Sequence, residues 1–189
     1  MLTYDIIVDH TETANKCTIL PLSYRSDFRI ARKPKAFRWT ADLLLHPEGQ
    51  SLADFCRAPR PVRSLAAVDC VWRRLEPILR GIEGTPPHFV KIPEEFVTAY
   101  PRVSRKDFDP EGGLATIEAI FIAAAFVGVW DPSLLREYFF AERFLTINIE
   151  AFRHFGIEPE IPEGIFAPYR PRNAQTRRLG RGRSAPQRS

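Results

Sequence analysis

The sequence predicts an α/β fold in which a mostly parallel β-sheet is flanked by helices. Short apolar runs of strand length, residues 43–45 and 65–68, are each followed by a segment with helix signals. Alternating strands and helices are typical of parallel pairing with crossover connections. The uncharged apolar run between Glu118 and Asp131 has twelve residues, which is too short to cross a bilayer and indicates a buried helix.

The N-terminal segment predicts a buried strand. Residues 4–9 include three consecutive β-branched residues, Ile6, Ile7 and Val8, which pack well on a pleated surface. A second apolar segment over residues 17–22 follows a polar stretch, and its structural type is left open. We expect both segments at the edge or entry of the sheet.

A strand–helix–strand–helix series follows. Residues 42–46 predict a strand that ends at the Pro-Glu-Gly turn after it. Ser51 is the predicted cap of a short helix, with Asp54 replacing the usual Glu or Gln of a capping box. Residues 65–68 predict the next strand, and residues 70–80 the helix that follows it.

The C-terminal half is predicted to be mainly helical. An extended segment over residues 89–97 and a charged loop over 101–113 come first. Helices are then expected over residues 114–127, from Asp131 with Pro at the first helical position, and over 141–155. The sequence contains no internal repeat, which favours one domain.

Charge separates a body from a tail. We expect a domain over residues 1–163, with an N-terminal lobe of about 1–60 and a second part of about 61–163. The net charge of the chain is +4, but residues after 163 contain seven Arg, no Lys and no acid, which leaves about −3 for the body. Residues 164–189 are therefore predicted to be a disordered Arg-rich tail that either binds phosphates electrostatically or serves only solubility.

Cysteine and histidine positions argue against a metal site. Cys17, Cys56 and Cys70 form no CxxC pair, and the four histidines stand at no ligand spacing with them. The first residues lack the basic and apolar regions of a signal peptide. We expect a reduced cytoplasmic protein with no membrane segment, and a monomer.

Basic and aromatic residues interleave in one part of the body. Asp27 is the only acid between residues 25 and 38. The cations and rings that interleave there are Arg25, Arg29, Arg32, Lys33, Lys35 and Arg38 with Tyr24, Phe28, Phe37 and Trp39. Rings stack on unpaired bases while cations follow the phosphate backbone, so this segment is the best nucleic-acid candidate of the body. The alternative is solvated charge with buried rings.

The segment Ala-Val-Asp-Cys-Val-Trp at residues 67–72 places an acid at the end of a predicted strand. Open α/β sheets bind ligands at the carboxyl ends of their strands. Asp69 and Trp72 are therefore the first candidate site residues. The alternative is a capped strand-to-helix turn with a core Trp.

Short segments in a common order over about residues 4–155 resemble the ribosome-biogenesis aminocarboxypropyltransferases, which modify a pseudouridine of small-subunit rRNA with S-adenosyl-L-methionine. The matching segments are Lys16-Cys17-Thr18, Leu45-His46-Pro47, Ser51-Leu52-Ala53-Asp54, Val68-Asp69-Cys70-Val71-Trp72, Ala99-Tyr100-Pro101, Leu114-Ala115-Thr116-Ile117-Glu118-Ala119 and Phe144-Leu145-Thr146-Ile147-Asn148. Two family segments are altered and read Tyr100-Pro101-Arg102-Val103-Ser104-Arg105 and Tyr138-Phe139-Phe140-Ala141 here. The cofactor half is thus similar to the family, and the acceptor half departs from it.

The resemblance implies a fold similar to the knotted (trefoil) SPOUT-like methyltransferase class, with residues of about 61–163 as the cofactor-binding part. It implies S-adenosyl-L-methionine as the cofactor, RNA as the partner, and rRNA modification in ribosome biogenesis as the function. The implied site residues are Thr18, Leu45, Pro47, Val68, Asp69, Trp72 and Thr116, with Asp69 catalytic.

Each implied role has a chemical reason. Asp69 would bind the amino group of the amino-acid arm or favour the sulfonium, and would accept the proton that leaves the base. Trp72 would form the wall of the methyl pocket and face the sulfonium. Thr18 and Thr116 would hold the carboxylate of the arm, and the Leu and Pro of the Leu-His-Pro segment would lie against the nucleoside.

Two other functions remain open on the sequence alone. The chain could use the same cofactor with another acceptor or for methyl transfer, because the acceptor segments are altered. It could also be a non-catalytic RNA or ribosome-assembly binder with a vestigial cofactor cleft. Except for Asp69 and Trp72, each implied site residue taken singly is better explained by an ordinary structural role.

Overall fold

The computed structural model describes residues 1–11, 17–32, 37–58, 60–101, 113–161, 164 and 166, and its centre is a parallel β-sheet. The strands are β1 (Thr3–Val8), β2 (Phe28–Ala31), β3 (Leu43–Ser51), β4 (Ser64–Asp69) and β5 (His88–Lys91). They form a five-stranded sheet in the order β2-β1-β4-β3-β5, and each of its neighbouring pairs is parallel. The predicted α/β class with a mostly parallel sheet is confirmed.

Helices flank this sheet. They are α1 (Leu52–Cys56), α2 (Leu75–Leu79), α3 (Thr116–Phe126) and α4 (Ala141–His154), with 3-10 turns over Leu20–Leu22, Trp72–Arg74 and Pro132–Leu135. Among the residues that the model describes, none of the helices has the length and apolar character that a membrane crossing requires.

Both faces of the sheet are buried. Along β1, Ile6 belongs to the core that contains α3 and α4, while Ile7 belongs to the core that contains Ile78 of α2. This alternation follows from the two-residue period of a strand, and burial on both faces explains why the strands are continuously apolar. Phe121 of α3 is fully buried, which confirms the buried helix predicted from the uncharged run.

The sheet order corrects the expected position of the first strand. β1 lies between β2 and β4, not at an edge. β2 was not predicted, because its Arg29 made the segment look like a charged surface. The Arg29 guanidinium pairs with the buried Asp5 at 2.7 Å, which allows a cation to sit in a strand beside the core. The open segment 17–22 contains a 3-10 turn in the connection from β1 to β2.

β3 is longer than predicted. It does not end at the Pro-Glu-Gly turn but bulges between Leu45 and Gln50, which both pair with Val90 of β5. The bulge brings Gly49 so close to β5 that an added Cβ would lie 2.5 Å from the Val90 nitrogen. The absence of a side chain at Gly49 therefore lets the strand resume its pairing.

The helix predicted over residues 70–80 is shorter than expected. The segment begins with the 3-10 turn Trp72–Arg74, and only Leu75–Leu79 is α-helical. Pro77 lies within this short helix, and a proline is tolerated only near a helix start because it lacks an N–H. Ser51 precedes α1 as predicted, but its side chain makes no capping hydrogen bond.

The basic and aromatic segment has mostly structural contacts. Phe28, Phe37 and Trp39 are buried, and Arg25 forms ion pairs with Asp27 and Asp131. For these residues the alternative of buried rings and paired cations is the one observed. Lys33 and Lys35, most of the predicted loop 101–113, and the tail apart from residues 164 and 166 lie outside the described residues.

Candidate active site at the carboxyl edge of the sheet

The carboxyl ends of β1 and β4 lie where the connections of the sheet diverge. The connection after β1 leads to β2, while that after β4 leads to β5 on the opposite side. The two strands pair as far as Val8 and Asp69, and the Asp9 N–H then donates to the Asp69 carbonyl at 2.9 Å. Ligands of open α/β sheets bind at such divergence points, so the fold places Asp69 where a ligand is expected.

The Asp69 carboxylate is held on both oxygens. The Cys17 thiol donates to Oδ2 at 2.8 Å, and the Thr116 hydroxyl donates to Oδ1 at 2.7 Å. Three segments distant in sequence therefore meet at one side chain. A carboxylate oxygen can accept two hydrogen bonds, so Asp69 keeps capacity for a further donor or a cation.

Cys17 is a buried thiol with 4% exposure. Its burial, the negative charge of Asp69 and the hydrogen bond to Asp69 together raise the pKa of Cys17 to about 12. The thiol therefore remains protonated near neutral pH and acts as a donor. Its sulfur in turn accepts the Leu20 N–H at 3.4 Å.

The two predicted threonines lie near the start of α3, but their hydroxyls are used differently. The Thr18 hydroxyl oxygen accepts the Ile117 N–H at 3.4 Å, which leaves its own O–H available as a donor. Thr116 is the first residue of α3 and gives its proton to Asp69. Of the two, Thr18 is the hydroxyl better placed to donate to an anionic group.

Trp72 opens the 3-10 turn that follows β4 and is partly buried. The same turn contains Arg74, whose Nε lies 2.6 Å from Oδ2 of Asp9. The opposite charges and this short distance make the contact an ion pair. The Nε atom of Arg74 makes no hydrogen bond in addition. Asp9 thus ties the Trp72 turn to the end of β1, next to Val68 and Asp69 of β4.

Asp9 itself was not nominated from the sequence, although an acid directly after a buried strand was the available signal. Its burial would raise its pKa, but the hydrogen bond from the Thr11 hydroxyl and the charge of Arg74 outweigh burial and lower the pKa of Asp9. Asp9 is 3% exposed. It is a buried charged acid, paired with Arg74 and next to the candidate site.

Leu45 and Pro47 lie at the β3 bulge. Leu45 is partly buried and Pro47 is exposed. The register between β3 and β4 runs through Leu44 and Ala66, so the bulge begins where β3 leaves β4. His46, between Leu45 and Pro47 in the sequence, is buried. Its Nδ1 accepts the Glu48 N–H at 3.1 Å, and its Nε2 lies 3.2 Å from the Glu76 carboxylate. This histidine stabilises the bulge, a role that its sequence position did not suggest.

Glu118 of α3 is a fully buried carboxylate whose role as an anchor for the segment before residue 100 was not predicted. It accepts hydrogen bonds from the Ala99 and Ala115 backbone N–H groups, both at 2.8 Å, and from two hydroxyls, those of Thr98 at 2.7 Å and Tyr138 at 2.8 Å. The available sequence signals were its place in the first turn of an apolar helix and in the matching segment 114–119.

Asn148 of α4 holds the same segment from the other side. Its Oδ1 accepts the Val97 N–H at 2.7 Å, and its Nδ2 donates to the Val97 carbonyl at 2.8 Å. Asn148 is fully buried. The two helices α3 and α4 therefore fix the chain over residues 97–99, just before the altered segment 100–105.

No group of three or more His, Cys, Asp and Glu side chains suited to a metal ion occurs in the described parts of the chain. The roles predicted for Thr18, Leu45, Pro47, Val68, Asp69, Trp72 and Thr116 stay predictions. The structure brings Thr18, Asp69 and Thr116 together through the first turn of α3, and it places the Trp72 turn directly after Asp69.

Comparison with known proteins gives one informative result. No family model and no curated protein matches the chain. Among solved structures, the chain is similar to the "SAM-dependent rRNA:acp-transferase Tsr3 from Vulcanisaeta distributa", with 19% identity and a TM-score of 0.58 over 82% of this chain and 83% of that one. At this identity, the likeness shows that the chain shares the overall fold of that structure.

Proposed function

We propose that this chain is an S-adenosyl-L-methionine-dependent aminocarboxypropyltransferase that modifies a pseudouridine-type nucleotide of rRNA in ribosome biogenesis. The observation that carries the proposal is the convergence of Cys17, Thr18, Asp69 and Thr116 at the carboxyl ends of β1 and β4. These residues come from three of the sequence segments that resemble the family. The shared fold with a structure described as a SAM-dependent rRNA:acp-transferase supports the same assignment.

The groups at this edge fit the amino-acid arm of the cofactor. The carboxylate of the arm needs donors, and the Thr18 O–H and the N-terminal end of α3 offer them. The ammonium needs an anionic acceptor, and Asp69 has lone pairs beyond its two internal hydrogen bonds. Trp72 supplies an indole face for the sulfonium, a contact typically of about 0.5–2 kcal/mol.

The cofactor supplies an electrophilic methylene next to its sulfonium. The residues of the chain then have to select that methylene over the methyl group, which is a problem of orientation. Trp72 would wall the methyl side, and Asp69 and Thr18 would fix the two charged ends of the arm. Asp69 would also accept the proton released by the base nitrogen, which requires its ionised form.

The proposal also covers the chain topology, the cellular location, the oligomeric state and the partner of the protein. It includes the knotted trefoil arrangement of the SPOUT-like class, in which C-terminal chain threads a loop. It includes a cytoplasmic location, a monomeric state and RNA as the partner. The Arg-rich residues 164–189 would add salt-dependent affinity for phosphates.

A double-label experiment tests the proposal. The protein is incubated with small-subunit rRNA and with cofactor labelled either at the carboxyl carbon or at the methyl carbon. We expect the carboxyl label in RNA and release of methylthioadenosine that keeps the methyl label. Methyl label in RNA would indicate methyl transfer, and RNA binding without cofactor binding would indicate a non-catalytic binder.

A further inference from the structure

We infer that Cys17 is a positioning residue of the proposed site, whose thiol hydrogen bond, opposite that of Thr116, fixes the orientation of the Asp69 carboxylate. The inference rests on the proposed function, because it concerns how Asp69 meets the cofactor. It assigns Cys17 an indirect role, with no contact to cofactor or RNA.

The geometry restrains the terminal torsion of the Asp69 side chain. The position of Asp69 is fixed by its pairing with Val8 and by the hydrogen bond from the Asp9 N–H. The terminal torsion of an Asp side chain is otherwise broad. Donors at 2.8 Å from Cys17 on Oδ2 and at 2.7 Å from Thr116 on Oδ1 select one plane for the carboxylate. A preset plane directs the remaining lone pairs, which lowers the cost of binding a cation there.

The protonation state of Cys17 suits this role. Burial and the nearby Asp69 charge keep the group a neutral thiol at physiological pH, so it donates continuously and adds no second negative charge.

The thiol also organises the residues that follow it. Its sulfur accepts the Leu20 N–H at 3.4 Å, and the adjacent Thr18 accepts the Ile117 N–H at 3.4 Å. Cys17 thus links the segment that contains Thr18 and the following 3-10 turn to the strand that carries Asp69. Loss of the thiol would loosen the proposed holders of both ends of the amino-acid arm.

Three variants separate hydrogen bonding from packing. Cys17→Ser keeps a donor and an acceptor, whereas Cys17→Ala and Cys17→Val remove both and change the side-chain volume in opposite directions. Cys56 offers a matched control, because it is a partly buried cysteine at the end of α1; the same three substitutions are made there. Cofactor affinity is measured by calorimetry and turnover by methylthioadenosine release, below the lowest Tm of the series.

We expect Cys17→Ser to keep the cofactor Kd within about threefold of wild type, and Cys17→Ala and Cys17→Val both to raise it about tenfold or more, as for a lost hydrogen bond to a charged group. The Cys56 variants should leave the Kd unchanged. Wild-type affinity in both Cys17→Ala and Cys17→Val would overturn the inference, because the thiol would then have no effect on cofactor binding. Wild-type affinity in Cys17→Val alone would also overturn it, because side-chain volume and not the hydrogen bond would then explain the loss in Cys17→Ala. If Cys17→Val does not fold, the comparison of Ser with Ala decides. A wild-type protein that binds no cofactor would instead overturn the proposed function itself.

Discussion

The backbone N–H of Asp9 donates to the carbonyl of Asp69 at 2.9 Å, and the side chains of these two adjacent strand-end acids have different partners. Asp9 pairs with Arg74, while Asp69 accepts from Cys17 and Thr116. One acid therefore supports the turn that carries Trp72, and the other keeps lone pairs for a ligand. The two acids have distinct experimental consequences.

Removing the Asp69 carboxylate should abolish transfer. We expect Asp69→Ala to lower kcat/KM at least about a hundredfold, in the range of lost general-base catalysis. The thiol and hydroxyl left without an acceptor should also lower the free energy of unfolding by about 1–3 kcal/mol. Methylthioadenosine release measures the first effect and urea denaturation the second. Turnover equal to wild type would remove Asp69 from the proposed mechanism.

Trp72 should matter for affinity more than for the fold. We expect Trp72→Ala to raise the cofactor Kd about 2- to 30-fold, which corresponds to a cation–π contact of roughly 0.5–2 kcal/mol. Trp72→Phe, which keeps a ring, should have a smaller effect. Calorimetry on the three proteins tests this order, and equal affinities would contradict it.

Asp9, which accepts a hydrogen bond from the Thr11 hydroxyl and pairs with Arg74, should produce an acid-dependent stability. Because the pKa of Asp9 is lowered in the folded state, its contribution is present above the unfolded pKa of about 4 and is lost as pH falls through the lower folded value. The stability gap between wild type and Asp9→Asn should therefore shrink below about pH 4. Urea midpoints between pH 2 and pH 7 measure this gap, and a gap independent of pH would refute the stabilisation of the charged Asp9 by Thr11 and Arg74.

Gly49 should not tolerate a side chain. A Cβ there would lie 2.5 Å from the Val90 nitrogen and 2.6 Å from the Phe89 carbonyl carbon, so β3 or β5 has to shift. We expect Gly49→Ala to destabilise the protein by about 1–3 kcal/mol, as in other overpacked sites. The neighbouring exposed Glu48 provides the control, since Glu48→Ala should leave the Tm nearly unchanged. An unaltered Tm in Gly49→Ala would contradict the tight approach.

Glu118 should be required for stability in its carboxylate form. In Glu118→Gln one oxygen becomes an NH2 donor that faces groups which are themselves donors, such as the Ala115 N–H at 2.8 Å. We expect a loss of about 2 kcal/mol or more in the free energy of unfolding. Tyr138→Phe, which removes one of the hydrogen bonds to Glu118, should cost less. Denaturation curves that rank the two variants in reverse would show that the carboxylate is not the anchor.

Local patterns predicted the elements whose signals are local. β4 contains the apolar run 65–68, α3 contains most of the uncharged run that follows Glu118, and both elements occur close to their predicted positions. β2 was missed because the charge of Arg29 obscures the strand pattern, and the acid that pairs with this cation, Asp5, lies 24 residues earlier. The sequence shows the cation, but the distant acid that pairs with it becomes visible only once the strands are placed together.

In the candidate site too, the local features were predictable from the sequence and the contacts between distant residues were not. Asp69 was identifiable as an acid at a strand end, a local pattern. Its hydrogen bond with Cys17 joins residues 52 positions apart, and that with Thr116 joins residues 47 apart. No spacing rule reveals such contacts, because the order of strands in the sheet decides them. For Glu118, the contact with Ala115 is local, and those with Ala99 and Tyr138 depend on the packing of other segments.

The two backbone N–H groups bound by Glu118 have an evolutionary consequence. Ala99 and Ala115 flank residues 100–114, which include the altered segment 100–105, and one carboxylate holds both. Insertions or deletions between these anchors change the closure cost slowly, by only about 0.6 kcal/mol per doubling of length. When the length or sequence of this stretch changes, both of its ends can therefore remain hydrogen-bonded to α3, beside the Thr116 hydroxyl that donates to Asp69.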